Sequence, residues 1–448
     1  MRSWVAVTLA IAATSCAAGG VIQTARRGDL ASLKRAIGEA QAAGRLDSQT
    51  VTELARVVAG REVRSAVGDD APRRVAQIER CAKAILPVLR DRARTGTEEA
   101  AAAAGLLVEL GQADTAAMVR RYHSATSGGW RAVAAKATLA PKYAALRRRL
   151  LVDADQRVRR GALAAVLRAP QPDDLESLLE AARLDPDPKA REMAVRAVGE
   201  LGNRHAVLAF KDQWARAGNS DRFAIVAAWA EPGMLREGGR EALRKVAEER
   251  RGLGAAAAAR ELSRLEGADG RVGSAVLAHF IETGSEAEQE LAILATPIND
   301  PDVVRALERT AENATLRAKV FSLGRLTELA AERGPALRRL RKLATRQDPA
   351  GPAARAALAA AQDSAVIVLL SRQLASPRPR DREWAALSML WLGETAAAAP
   401  ALADDDPRIR TEVACTILAP QDARLHWRSA VARDGAQGSG RWPSSWQP

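Results

Sequence analysis

The chain has 448 residues, of which 47% are hydrophobic but only 3% aromatic, and its formal net charge is +13. This composition favours closely packed helices, because Ala has the highest helix propensity, and it disfavours a β-sandwich or barrel, which needs aromatic and β-branched residues. The charge has two interpretations: binding to nucleic acid or an anionic surface, or an excess of Arg spread among acidic residues. We favour the second, because the basic stretches lack interleaved aromatic residues.

The first sixteen residues have the pattern of a secretory signal peptide. One positive charge precedes an apolar run over residues 4–13, which is too short to cross a bilayer as a permanent helix. Residues 13–16 resemble the lipobox of bacterial lipoproteins, although Ala13 stands where a larger aliphatic residue is usual. The resemblance implies lipidation of Cys16 and a periplasm-facing protein anchored in the bacterial cell envelope. Ordinary signal-peptide cleavage and an uncleaved N-terminus are the alternatives.

Residues 17–140 have helical patterns without a regular repeat. The positions of apolar residues and glycines predict five helices, near 29–43, 48–60, 71–93, 97–111 and 113–122. Residues 25–33 resemble the opening of an ankyrin repeat, but no second copy follows. We therefore predict that this region is a helical cap or a set of divergent repeats.

A repeated turn begins after this region. Asp153 opens an acidic turn that leads through Arg159 into an Ala-rich helix, and Asp185 and Arg191 repeat the pattern 32 residues later. An Asp at such a turn can cap the following helix, so Asp185 is predicted to cap a helix beginning near Pro186. Apolar residues spaced three and four apart predict the helix, and a second helix lies between the two turns.

The same turn recurs in the second half of the chain. Three further instances contain Asp300 and Arg305, Asp348 and Arg355, and Asp406 and Arg410, and a weaker instance runs from Ser376 to Arg382.

These repeats resemble the HEAT family, and most closely its short HEAT-like repeats. The matching residues are Asp185, Arg191, Ala194, Leu201 and Gly202 in one repeat, and Asp406, Arg410 and Ala414 in another. The resemblance implies an all-α solenoid of stacked antiparallel helix pairs over residues 141–430, in which the Asp caps a turn and the Arg reaches neighbouring turns. Residues 431–448 are rich in Gly, Ser, Pro and Gln and are predicted to be a disordered tail.

The sequence contains no recognisable active site. The four histidines have no ligand-like spacing, no nucleophile motif is present, and we expect neither a metal nor a cofactor. Cys81 and Cys415 each lie on an apolar stripe and are predicted to be buried. They should be far apart in an extended solenoid, which argues against a disulfide between them.

Scarce tryptophans offer the best candidates for recognition. Trp214 and Trp229 are candidate interface aromatics, because Trp often anchors an interface. Trp384 and Trp391 are seven residues apart on one apolar stripe and are predicted to pack in the core.

The predicted function is a non-catalytic scaffold in the bacterial cell envelope that binds a protein or peptide partner. Stacked helix pairs expose a long continuous surface, which suits such a partner. The alternatives are an Arg-rich nucleic-acid-binding protein and an enzyme or accessory protein resembling HEAT-like chromophore lyases. Export would argue against nucleic acid, and no specific nucleic acid is expected.

Overall fold

The computed structural model describes residues 20–65, 77–298, 300–424 and 427–428, and throughout these ranges the regular structure is helical, without a strand. The predicted all-α class is therefore confirmed. Cys16 and the tail 431–448 lie outside the described residues. No described helix is long and apolar enough to span a bilayer.

The helices of the first half follow a short helical segment at residues 20–27. In chain order they are α1 (Leu30–Ala42), α2 (Ser48–Ser65), α3 (Leu86–Arg94), α4 (Glu98–Glu109), α5 (Thr115–Tyr122), α6 (Gly128–Lys136), α7 (Ala144–Leu151), α8 (Gln156–Arg168), α9 (Leu175–Leu184), α10 (Pro188–Leu201), α11 (Arg204–Trp214) and α12 (Asn219–Trp229). Short 3₁₀ helices at Glu79–Ile85, Pro141–Tyr143 and Pro172–Asp174 lie between them.

The helices of the second half follow a turn of α-helix at Pro232–Met234 and a π-helix at Leu235–Gly239. They are α13 (Arg240–Glu248), α14 (Gly252–Ser263), α15 (Ala268–Thr283), α16 (Glu286–Ala295), α17 (Pro301–Asn313), α18 (Leu316–Leu326), α19 (Ala330–Ala344), α20 (Ala350–Ala360), α21 (Ile367–Gln373), α22 (Pro379–Trp391), α23 (Thr395–Ala398) and α24 (Pro407–Leu418). The 3₁₀ helices here are Ser364–Val366 and Ala399–Ala403.

The N-terminal helices lie close to their predicted positions, with one difference. The helix predicted over 71–93 is instead a 3₁₀ helix, Glu79–Ile85, followed by α3, and residues 66–76 are not described. Pro87 lies at the start of α3, where its missing N–H suits the first turn of a helix but interrupts one already formed.

Helix α10 shows why the repeat residues form this structure. Ala190, Ala194, Ala197 and Val198 are buried along one stripe, as their spacing predicts. The helix ends as predicted at Gly202, whose φ of 61° is left-handed backbone that favours glycine.

The chain forms two compact units. The first contains residues 1–111 and 341–423, and the second contains residues 112–340 and 424–448. The boundary predicted at residue 140, between the N-terminal region and the repeats, stays a prediction. In the second unit α6, α8, α10 and α12 pack successively side by side. In the first unit α20, α22 and α24 do the same, and α24 packs against α2 from the N-terminal segment.

The first unit corrects the expectation about the cysteines. Cys81, in the 3₁₀ helix Glu79–Ile85, and Cys415, in α24, form a disulfide with a Cα–Cα distance of 5.0 Å. Both side chains are buried, as predicted. The prediction that these two cysteines lie far apart is wrong, because within the first unit the N-terminal helices pack directly on the last repeat helix.

Candidate protein-binding site

The repeat turns are held together by an ion pair between successive repeats. Arg159, in the first turn of α8, donates from Nε and Nη2 to the two carboxylate oxygens of Asp185 in the following turn, at 2.7 and 3.0 Å. Its Nη1 donates to the backbone oxygens of Asp153 and Ala154, in the turn that precedes α8, at 2.9 and 3.1 Å. One guanidinium therefore donates hydrogen bonds to carbonyl oxygens of its own turn and connects this turn to the next. We call this arrangement the inter-repeat ion pair.

The inter-repeat ion pair recurs in both units. Arg131 pairs with Asp153 at 3.1 Å, and Arg382 pairs with Asp404 at 2.7 Å, each also donating to carbonyls of its own turn. Arg191 donates to the Asp185 carbonyl at 2.9 Å and pairs more loosely with Asp221, at 3.3 Å. These arginines therefore connect neighbouring turns of the fold.

The helix caps are not all where the sequence placed them. Asp187, not Asp185, is the N-cap of α10 and accepts the backbone N–H of Lys189 at 3.1 Å. Asp185 instead accepts the backbone N–H of Asp187 at 2.8 Å and serves the ion pair. Asp155 likewise caps α8 in place of Asp153. In these two turns the first Asp pairs with the Arg of the preceding repeat, and the second caps the helix and also pairs with another Arg, Arg157 or Arg160.

Two other predicted aspartates do cap their helices. Asp300 accepts the backbone N–H of Asp302 at 2.9 Å, and Asp406 accepts that of Arg408 at 2.8 Å. Asp348 accepts the N–H of Ala350 at 3.1 Å, although the N-cap of α20 is Pro349.

Two predicted arginines do not form the inter-repeat ion pair. Arg305 is exposed and pairs with Asp302 within its own helix. Arg355 donates to the Gln373 side chain at 2.8 Å and to the carbonyl of Ala344 at 2.8 Å. These two instances of the sequence motif therefore lack the long-range pairing of the others.

The candidate interface tryptophans belong largely to the packing of the second unit. Trp229 is 1% exposed, so it is a core residue and presents no surface to a partner. Trp214 is half-buried, 5.5 Å from Trp229 between ring centroids, with the Arg222 guanidinium 5.2 Å from its ring. Trp384 and Trp391 are buried, as predicted.

A groove of about 920 Å³ lies between α9 and α11, bordered by the start of α12. The spacing between neighbouring helices is uneven in this part of the second unit. Helices α10 and α12 approach closely because Gly199 has no side chain: a Cβ there would lie 2.9 Å from the Ala228 Cα. Helices α9 and α11, which border the groove, stand further apart than α10 and α12 do. The sequence analysis did not identify this groove.

The groove has charged walls around apolar residues. Its charged side chains include Glu176, Glu180, Arg183, Asp212 and Arg216, all exposed. Within the described residues none of these five has a side-chain hydrogen bond or an ion pair. The groove also contains Leu184, which is 59% exposed, and the outer face of α11 carries Leu208, which is 52% exposed.

Candidate metal sites are absent from the described part of the chain. No group of three or more His, Cys, Asp or Glu side chains there is arranged to hold a metal ion.

Comparison with known proteins adds no further assignment, since no protein-family model matches the chain and no curated protein matches it.

Proposed function

We propose that the protein is a non-catalytic scaffold of HEAT-like repeats that binds a segment of a partner protein in the groove between α9 and α11. The supporting observation is that five charged side chains, which have no partner among the described residues, lie beside an exposed leucine in this groove. The arginines of most repeat turns, by contrast, are occupied by the fold itself.

A protein segment suits this lining better than a small ligand. The groove is open, and its walls offer four carboxylates, of which Asp221 pairs with Arg191, and two guanidinium groups around Leu179 and Leu184. A peptide can supply side chains of both charges together with apolar ones, so it can pair these groups and cover the leucines at once. Burial of the exposed leucines contributes about 25 cal/mol per Å² of apolar surface.

The same lining argues against nucleic acid. A phosphate backbone entering the groove would meet Glu176, Glu180 and Asp212 as well as two arginines. Binding that releases counterions requires a surface lined mainly by cations. The arginines of the inter-repeat ion pairs are already neutralised by aspartates, so the net charge of +13 does not translate into a free basic surface at those turns.

We further propose that lipidation of Cys16 anchors the scaffold in the bacterial cell envelope, facing the periplasm. The support is the apolar run that ends in the lipobox-like residues 13–16. A partner would then be another envelope protein.

Site-specific photocrosslinking in cells tests the binding proposal. A photoreactive residue replaces Leu184 in the groove, and a control carries it at Val368, which is 62% exposed but lies in α21 of the other unit. We expect one dominant protein adduct from position 184 and none from position 368. A second variant, Ala209→Arg, places a long side chain at the groove wall and should abolish the adduct. Adducts of equal yield from both positions would refute the groove as the binding site.

A further inference from the structure

The first unit joins two segments that are distant in sequence. Helix α2 buries Val51, Leu54 and Val58, and α24 buries Ile409 and Val413, where the two helices pack. Apolar burial therefore holds an N-terminal helix on the last repeat helix, in the place where a further repeat would otherwise continue the array.

Glu62 of α2 completes the last inter-repeat ion pair. Arg410 donates from Nε to Glu62 Oε1 at 2.8 Å, and from Nη1 to the backbone oxygens of Asp404 and Asp405 at 2.7 and 3.2 Å. This is the arrangement that Arg382 makes with Asp404, except that the acid comes from a residue 348 positions away. The Arg410 and Glu62 side chains are 8% and 3% exposed. Helix α2 thus takes the chemical role of the next repeat turn.

The 3₁₀ helix Glu79–Ile85 adds a second set of contacts on α24. Arg80 donates from Nη2 to the Glu412 carbonyl at 2.9 Å and to Thr416 Oγ1 at 3.0 Å. Its Nη1 lies 3.2 Å from a carboxylate oxygen of Glu412. The adjacent Cys81 is bonded to Cys415, so polar, ionic and covalent contacts coincide on one face of α24. We call α2 and this 3₁₀ helix together the closing segment.

We propose that the closing segment takes the place of a terminal repeat and is held on α24 by the Cys81–Cys415 disulfide. The protein therefore completes its folding in an oxidising compartment. Buried contacts position the segment, and the disulfide then prevents it from separating. Stable structural disulfides are a feature of exported proteins and are rare in reducing cytosol. This inference does not rest on the groove or on lipidation of Cys16.

The covalent step is a thiol–disulfide exchange with an oxidising protein or small-molecule disulfide. The Cys81 or Cys415 thiolate attacks that disulfide and displaces one of its sulfurs as a thiolate, which gives a mixed disulfide. The second cysteine then attacks the mixed disulfide, forms the Sγ–Sγ bond and releases the other thiolate. The two cysteine thiols lose two protons and two electrons, and the external disulfide becomes two thiols.

Peptide mapping tests the bond directly. The full chain is produced with export and, separately, in reducing cytosol, and free thiols are blocked with a maleimide before non-reducing trypsin digestion. Cleavage after Arg80, Lys83, Arg410 and Arg424 should release residues 81–83 linked to residues 411–424 from the exported protein. Recovery of both cysteines as maleimide adducts from the exported protein would overturn the proposal.

Hydrogen exchange tests whether the bond locks the closing segment. In Cys81→Ser we expect amide exchange in α2 and α24 to accelerate by at least about tenfold, because the disulfide closes a very long loop, and exchange in α10 of the other unit to stay unchanged. Cys16→Ser is the matched control and should leave all three helices unchanged. Glu62→Gln, which keeps the disulfide, should give a smaller acceleration in the same two helices.

A second preparation covers the case in which Cys81→Ser is not recovered folded. Native reduction of the parent protein removes the same bond, and we expect the same acceleration in α2 and α24. Unchanged exchange in both helices after loss of the disulfide would overturn its locking role, as would acceleration spread equally to α10.

Discussion

Two aspartates at a single repeat turn have different structural roles. Asp404 pairs with Arg382 and accepts the backbone N–H of Asp406, and Asp406 caps α24. Asp185 and Asp187 repeat this division before α10. At the Asp404 turn the division matters for mutagenesis, because loss of Asp404 leaves the Arg382 guanidinium without its carboxylate, whereas loss of Asp406 removes the helix cap.

We predict different costs for the two aspartates of this turn. Asp406→Ala should lower the free energy of unfolding by about 1 kcal/mol, the usual loss for an N-cap. Asp404→Ala should lower it by about 3 kcal/mol, because removing one partner of a buried ion pair leaves the other uncompensated. Urea unfolding followed by circular dichroism measures both. Equal losses of unfolding free energy would show that the ion pair stabilises the fold no more than the cap does.

The paired aspartates also predict acid sensitivity. Burial opposes ionisation of Asp153 and Asp404, but hydrogen bonds from Arg131 and Arg382 and from the backbone outweigh it, so the pKa of each lies below its ordinary value. A lowered folded-state pKa stabilises the fold above the unfolded-state value of about 3.9, and this stabilisation is lost as the pH falls through the folded-state pKa.

We therefore expect the urea midpoint to fall as the pH is lowered from about 5 to about 3. In Asp404→Asn the midpoint should be lower at neutral pH, and its further decline on acidification should be smaller. The pH dependence of urea unfolding for the parent and the variant provides the measurement. Identical pH dependence in the two proteins would contradict a contribution from Asp404.

Sequence alone located the repeat turns but not the roles within them. Both Asp185-Pro186 and Asp187-Pro188 fit an Asp before a helix-starting Pro, and only the backbone geometry shows that α10 begins at Pro188. Glu62 carried no sequence signal as the partner of Arg410, because it lies in α2, 348 positions away. Motif spacing along the chain cannot reveal a pairing made by long-range packing.

Helices α10 and α12 depend on small residues where they meet. Gly199 faces the backbone of Ala228, whereas α9 and α11, which border the groove, stand further apart. Apolar spacing predicted the helices well, because each buries a stripe. It could not predict the groove, since the distance between two helices depends on which residues meet at their contact.

Gly199→Ala should therefore destabilise the protein. Its Cβ would lie 2.9 Å from the Ala228 Cα, and neither backbone can move without disturbing the helix pair. We expect a loss of about 1–3 kcal/mol, as for other overpacked contacts. Gly38→Ala is the control, because that α1 position has no atom within 4 Å of the added Cβ. It should stabilise by about 0.4–1 kcal/mol. Urea unfolding should show opposite signs for the two variants, and the same sign would contradict the packing argument.

At the scale of the whole molecule, the sequence predicts an all-helical chain, but it does not predict that α2 packs on α24. An array read from repeats alone places residues far apart in sequence far apart in space, which is why Cys81 and Cys415 were expected to stay separate. In the first unit the N-terminal segment instead packs on α24. Such closure depends on complementary apolar faces, and neither face carries a motif that names its partner.

Membrane attachment is a prediction about the whole chain. Cys16→Ser removes the thiol that lipidation requires, so the variant should leave the membrane fraction or accumulate unprocessed. Fractionation and electrophoretic mobility, compared with Ser15→Ala as a neighbouring control that keeps the thiol, measure the effect. Unchanged fractionation and mobility of Cys16→Ser would contradict the lipid anchor.

We propose that the groove between α9 and α11 binds a partner, whereas the inter-repeat ion pairs only hold the scaffold together. The most direct test measures affinity for the protein crosslinked at position 184, using the parent, the groove variant Glu180→Lys/Asp212→Lys and the turn variant Asp404→Asn. We expect the groove variant to weaken binding by at least about tenfold, or 1.4 kcal/mol, at unchanged stability, and the turn variant to lower stability and leave the affinity unchanged. Unchanged affinity in the groove variant, with loss of affinity in a folded turn variant, would contradict it.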